Sequence, residues 1–351
     1  MEKCALFLKK SGDVILIDNT KKKSSIRPPS DEALTHCVDS VCVNYTLSLQ
    51  LLQDEVKNKF AVKKNRSSVL GAVYSILDEP IRSQRVFECG SFLEFRVSES
   101  ESNLQVANFC KDRLCPMCNW RRSLKIFGQV SQVMNQMDEY DFLFLTLTVK
   151  NCSASDLPNT VQVLFDGWRY LYNKNKEFKS VIEGTFRSLE VTINKEKETF
   201  HPHLHCILAV KPSYFKKGYI TQERWSELWS SACDLEYNPV VHIQKVKKIG
   251  KGICGAVAEV AKYSTKDSDF LDPDDLDKSA EYTRILLNAL SGRRLCGWTG
   301  IFAKIRKQLN LDYVEDGDLI HTSDDCIRQD VECMIVRYYW RCGVYVSDNK
   351  S

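Results

Sequence analysis

This 351-residue chain has no long apolar run, no phosphate-cradling loop and little excess charge. No stretch approaches the about 20 apolar residues that a membrane-spanning helix needs, so no membrane partner is expected. The opening MEKCALFLKKSGDV holds an apolar stretch too brief for the core of an export signal, which points to the cytoplasm. The pattern G-x-x-x-x-G-K-[ST] does not occur, so no nucleotide-driven motor of the P-loop kind is encoded. Net charge is only +3, and this alone does not announce a nucleic-acid binder. Basic residues do cluster, at 21–23, at 63–64 leading into Arg66, at 121–122, and at Lys245, Lys247 and Lys248. Histidine is scarce, six in all, so where the histidines fall carries information.

Cysteine, by contrast, is plentiful: fifteen residues, an odd number, set mostly in apolar segments. Without an export signal most should be reduced, buried thiols acting as small hydrophobes. One group departs from that pattern. Cys110-x4-Cys115-Pro116-Met117-Cys118 contains a C-x-x-C with a third cysteine nearby, the spacing of a structural zinc site, and Cys89, followed by Gly90, is the expected fourth ligand. Buried thiols and a redox pair are the competing readings. The neighbouring Arg113, Arg121 and Arg122 are candidates for sequence-independent phosphate contact.

Along the chain, residues 1–85 form a region without an assignable role, with 47–65 its best helix candidate and 24–30 a loop. Residues 86–97 read as a strand or hairpin arm, since Phe92 and Phe95 sit among β-favouring residues. Apolar residues at helical spacing mark a helix over 120–137, and FLFLTLTV at 142–149 is too short for a typical helix and reads as a buried strand. Further helices are expected over 157–173, 221–233 and 254–266, and a strand over 239–246. Strands at 184–194 and 200–210, separated by a charged Lys195–Glu198 stretch, carry a hairpin signature. The interleaving implies an α+β fold, a central antiparallel sheet flanked by helices. That core is expected over 86–268, followed by an acidic linker and a helical region over 269–351.

Three of the six histidines lie in His201-Pro202-His203-Leu204-His205. On a strand these three point to one face, while Leu204, Cys206 and Leu208 point to the other. Two imidazoles at i and i+2 can grip one metal ion, the more so because an unpartnered ring in so apolar a run would cost about 1–3 kcal/mol. A hairpin turn centred between Glu196 and Lys197 would set Glu190 opposite His203 and on the same face, whereas a one-residue slip would turn it away. Mg²⁺ or Mn²⁺ suits two histidines, a carboxylate and open positions; zinc or Fe(II) would accept the same set. Downstream, Glu259, Tyr263 and Lys266 are spaced to share one face of a helix.

His203-Leu204-His205 followed by Glu259-x-x-x-Tyr263-x-x-Lys266 resembles the HUH endonuclease superfamily. More narrowly it resembles initiators of small rolling-circle plasmids that carry one tyrosine and a glutamate four residues before it. Phe144-Leu145-Thr146-Leu147-Thr148 is similar to that family's first motif, and the segment from Phe109 to Arg122 to its cysteine element; the similarity covers roughly residues 86–310. The resemblance implies an HUH or RRM-like core and nicking of one DNA strand. His203, His205 and Glu190 would hold the metal, and Tyr263 would take a 5′-phosphotyrosine link and leave a 3′-hydroxyl. It further implies Glu259 as base for a terminating hydrolysis, Lys262 or Lys266 as a cation near the phenol, and a host helicase as partner. Two other readings compete: a metalloenzyme acting on a small molecule, which leaves Tyr263 without a task, and a non-enzymatic zinc-containing DNA-binding repressor.

Overall fold

In the computed structural model, the described residues are 46–247, 251–322 and 333–347. The basic run at 21–23, the loop at 24–30 and Lys248 lie outside them. The chain from Asn44 onward clusters as one compact unit, and the expected boundaries at 85/86 and 268/269 fall inside it.

The helices among the described residues include α1 (Ala61–Ile76), which continues a helical stretch over 46–60, α2 (Pro80–Glu88), α3 (Pro116–Met134), α4 (Leu157–Asn173), α5 (Lys176–Val181), α6 (Gln222–Ala232), α7 (Lys251–Val260), α8 (Asp267–Phe270), α9 (Leu276–Leu290) and α10 (Gly300–Gln308). The strands are β1 (Phe92–Val97), β2 (Ser102–Ala107), β3 (Asp141–Thr148), β4 (Ile182–Asn194), β5 (Thr199–Val210), β6 (Val241–Lys245), β7 (Cys296–Thr299), β8 (Met334–Arg341) and β9 (Val344–Ser347). Proline at the first turn of α2, α3 and α4 fits positions whose N–H would lack a helical partner anyway.

Five strands form the larger sheet in the order β6-β3-β5-β4-β7, and every pairing within it is antiparallel. Its centre is the long β4–β5 hairpin, whose register pairs Glu190 with His203 and Ser188 with His205. Leu204, Cys206 and Leu208, on the face away from the histidines, are fully buried. That apolar face anchors the sheet, and it holds the polar face in one register because a slip would expose the whole row.

A second sheet, order β2-β1-β8-β9, joins the strands before the cysteine segment to the last strands of the chain. The expectation of a purely helical region over 269–351 is corrected here: α9 and α10 are present, but β7, β8 and β9 are strands. Two further corrections concern boundaries. Residues 86–88 close helix α2, with the strand beginning at Phe92. The stretch expected as an acidic linker contains α8 and the start of α9, where the Asp275 carboxylate caps the first turn.

Candidate functional site

The polar face of the hairpin gathers three side chains. Glu190 Oε2 lies 2.9 Å from His205 Nε2 and 3.3 Å from His203 Nε2, and the two Nε2 atoms are 3.1 Å apart. All three residues are buried. The other ring nitrogens are engaged, His203 Nδ1 with the His201 carbonyl at 3.1 Å and His205 Nδ1 with Thr146 Oγ1 at 3.3 Å. Those outer contacts fix each ring and turn Nε2 toward the carboxylate, as partners of metal-binding histidines do. Burial disfavours a charged Glu190, yet the hydrogen bonds and charges of His203 and His205 outweigh it and hold the carboxyl well below the usual range. Ligands at right angles on bonds of about 2.1 Å stand about 3.0 Å apart, so the spacing fits a small divalent ion bound by one nitrogen from each ring and one oxygen.

Tyr263 is placed differently from the sequence expectation. Helix α7 ends at Val260, so Glu259, Tyr263 and Lys266 do not share a helical face. Instead the chain runs beside β4: Ser188 Oγ donates to the Val260 carbonyl at 2.7 Å, Val191 N–H donates to the Ser264 carbonyl at 2.7 Å, and Ser264 pairs with Glu190 in a parallel bridge. Ser264 adopts φ 58°, a left-handed conformation few non-glycine residues take, and Asn119 Nδ2 donates to its hydroxyl at 3.3 Å. Pairing with β4 ends the helix despite good helix-forming residues.

Tyr263 is buried with the Arg122 guanidinium 5.3 Å from its ring centre. Burial pushes its phenol well above the ordinary value, more than Arg122 and Arg113 pull it down. A cavity of about 190 Å³ nevertheless has Tyr263, Glu190, Lys63, Lys262 and Lys266 together on its wall. Glu259 is not on that wall; it pairs with Lys262.

The four predicted cysteines converge. Cys89 Sγ and Cys118 Sγ are 3.6 Å apart, as are Cys110 and Cys118, and Cys115 and Cys89. Tetrahedral thiolates on bonds of about 2.3 Å stand about 3.8 Å apart, so the group fits a closed zinc site. Cys89 ends α2, and Gly90, at φ 66°, turns the chain where a side chain would press on Met117. Cys115 caps α3, which brings Cys118 round after one turn. Backbone N–H groups of Cys110, Lys111 and Asp112 point at the sulfurs at 3.2–3.4 Å. Burial opposes a thiolate at Cys115, but hydrogen bonds from Cys110, Cys118 and Cys89 hold its thiol well below the usual value.

The arginines read as phosphate contacts are internal. Arg121 is buried and donates to the carbonyls of Leu319 and Ile320, at 2.8 and 2.5 Å. Arg122 is buried and donates to the carbonyls of Asp112 and Lys111, at 2.9 and 2.5 Å. Arg113 donates to the Leu290 carbonyl. Arg121 and Arg113 fasten the cysteine segment to the rest of the chain and Arg122 braces it from within, which a run of arginines beside a C-x-x-C does not disclose. Sequence reasoning also missed Lys63, on the cavity wall and 3.1 Å from Asp267, and Lys64, fully buried near the cysteines. Their only sequence signal was a pair of adjacent lysines that resembled any solvated patch.

A model of replication proteins matches residues 101–346 of the chain. A "Protein rep" of Streptococcus pneumoniae is 43% identical over 251 residues, covering 69% of this chain and 76% of the relative. A "Protein rep" of Bacillus amyloliquefaciens is 35% identical over 315 residues, covering 82% and 93%. A third, from Lentilactobacillus hilgardii, is 40% identical over 264 residues, covering 71% and 82%. No solved structure matches the chain.

Proposed function

The chain belongs to the Rep_1 family of replication proteins, and from that premise we propose that it starts rolling-circle replication of a plasmid by nicking one origin strand with Tyr263. The observation that carries this reading is the cavity whose wall joins Tyr263 and three lysines to Glu190, the carboxylate beside His203 and His205. A tyrosine, a set of metal-binding side chains and several cations around one small space are what phosphodiester transfer on a polyanion requires.

Glu190, His203 and His205 would hold the divalent ion, Mg²⁺ or Mn²⁺, which when bound polarises the scissile phosphate. Lys63, Lys262 and Lys266 bind the phosphate oxygens and draw the strand into the cavity. The Tyr263 phenol oxygen attacks phosphorus as its proton passes to solvent, the bond from phosphorus to the 3′-oxygen breaks, and that oxygen takes up a proton from solvent to leave as a 3′-hydroxyl. One ester replaces another, so the strand can be rejoined by the reverse step without ATP. Tyr263 enters this step from a buried position, and the irregular backbone at Ser264 is where the chain can turn to present it. Glu259, four residues earlier in the chain, activates the terminating water once Lys262 is drawn to phosphate. The four cysteines would hold structural zinc, and strand separation would come from a host helicase.

The test is a denaturing gel of the full chain with labelled single-stranded origin DNA, with and without Mn²⁺. A metal-dependent protein–DNA band that survives denaturation and is lost in Tyr263→Phe, while DNA binding persists, is the expected result. An undiminished adduct in Tyr263→Phe would transfer the nucleophile elsewhere and overturn the assignment.

A further inference from the structure

The outer edge of the larger sheet carries a feature that the nicking chemistry does not use. Two adjoining cavities, of about 630 and 350 Å³, share Arg187, Arg294, Gly297 and Trp298, and so form one groove around edge strand β7. Arg169, Arg187, Arg293, Arg294, Arg306 and Lys307 line it, against a single carboxylate, Glu315. For a chain whose net charge is only +3, that is a strong local concentration.

Most of this charge is anchored by neutral partners, which orient a guanidinium without cancelling it. Arg187 donates to the carbonyls of Leu295 and Arg294, at 3.1 and 3.3 Å, and lies 4.4 Å from the Phe165 ring centre. Arg293 donates to Gln162 Oε1 at 2.8 Å and to the Pro158 carbonyl at 3.0 Å. Arg306 donates to the Leu311 carbonyl at 2.9 Å and sits 4.2 Å from the Tyr313 ring centre. Arg169 alone has an acidic partner within one helical turn, Asp166 at 2.9 Å, and that pair is exposed. Between the cations stand aromatic rings: Phe165 and Tyr172 toward one end, Trp298 in the middle, Tyr313 at the other.

We propose that this groove is a second binding site for single-stranded DNA, separate from the cavity at Tyr263. The inference rests on the reading of the chain as a DNA-processing protein, and it adds a surface rather than a chemical step. Cations along a channel match phosphates, and rings between them match the faces of unpaired bases. A duplex keeps those faces stacked away and offers phosphates and base edges only, so the aromatic lining selects the single strand. The groove is also distinct from the metal site. Strand β4 separates β7 from the histidine strand β5, and the groove shares no lining residue with the cavity at Tyr263. A strand lying here is held clear of the metal ligands, as a displaced or already cut strand must be.

Binding of a labelled mixed-sequence oligonucleotide, followed by fluorescence anisotropy over a salt series without added metal, tests this. The triple variant R169A/R294A/K307A removes exposed charges only, and Lys307→Glu is a single change that keeps the test alive if the triple variant folds poorly. The expected result is about a tenfold loss of affinity near 0.1 M salt for the triple variant. Its log–log salt slope should be shallower by about 2, at roughly 0.7 per lost contact. Lys307→Glu should weaken binding in the same direction, and duplex DNA should be affected much less. Unchanged affinity and slope in both variants would overturn the proposal, and so would equal losses for duplex and single strand. Binding of an acidic peptide that the variants weaken, with no effect of the variants on DNA affinity, would overturn the proposal and assign the groove to a protein partner instead. Because no cutting is measured, failure here leaves the Tyr263 assignment standing, and the reverse.

Discussion

Lys63 and Lys64 show how little a pair of neighbours in sequence says about charge. On α1 adjacent side chains point about 100° apart, and the two ammonium groups end in different places. Lys63 reaches the Tyr263 cavity, while Lys64 is fully buried and donates to the Phe87 carbonyl. Burial lowers the Lys64 pKa, and the nearby Cys89, Cys115 and Cys110 pull it back up when they are thiolates. Four thiolates around a dication leave two negative charges in the interior, and one buried cation offsets half of that. Lys64→Met, which keeps the bulk and removes the charge, should therefore loosen metal at the cysteines by about 10- to 100-fold. The rate of zinc release to a coloured chelator measures this; an unchanged rate would leave Lys64 a packing residue. Tyr313 makes the opposite case in the open. Arg306 and Arg294 favour its phenolate and lower its pKa from the usual phenol value. Raising the pH should thus produce phenolate absorbance on the acid side of the ordinary range, and Tyr313→Phe should remove that component. At this scale the sequence disclosed which histidines and cysteines come together, because histidines at i and i+2 and a C-x-x-C are local patterns. It did not disclose Lys64, or the inward-facing Arg121 and Arg122, whose partners are carbonyls outside their own helix.

Among elements, the β4–β5 hairpin was legible throughout and helix α7 was legible except for its end, for the same physical reason seen from two sides. Alternation in β4 and β5 is enforced by an apolar face that can only be buried one way, so the Glu190–His203 register followed from the turn position. Residues 258–266 have good helical propensity, but propensity is a weak prior, and backbone pairing of Ser264 with β4 overrides it. The second sheet was invisible because its pairings join residues far apart in sequence, Phe92 with Tyr339 among them. Strand β7 depends on a close approach that only glycine permits. A Cβ at Gly184 would stand 2.5 Å from the Ile301 nitrogen and 2.8 Å from the Thr299 oxygen, both backbone atoms that cannot swing aside. Gly184→Ala should destabilise the fold by about 1–3 kcal/mol, read from urea unfolding, and it should weaken oligonucleotide binding at the β7 groove. Unchanged stability would show that the edge yields freely.

For the whole molecule, a small net charge concealed a large separation of charge. Cations gather at the Tyr263 cavity and around β7, while the excess that would advertise them is cancelled elsewhere in the chain. Composition alone reports the sum and not the map. The second sheet has a consequence for how the protein is made. Strands β1 and β2 and the cysteines precede β8 and β9, the strands that complete their sheet, by a long stretch of chain, so they are made well before those partners. Until then Leu93 and Phe95 lack the neighbours of β8, and Gly90, next to Cys89, lacks the Tyr345 hydroxyl that donates to its carbonyl. The side of the cysteine group that faces Gly90 therefore stays open until β8 and β9 have been made. A metal ion offered to the nascent chain before then would meet an open site, and one offered afterwards a closed one.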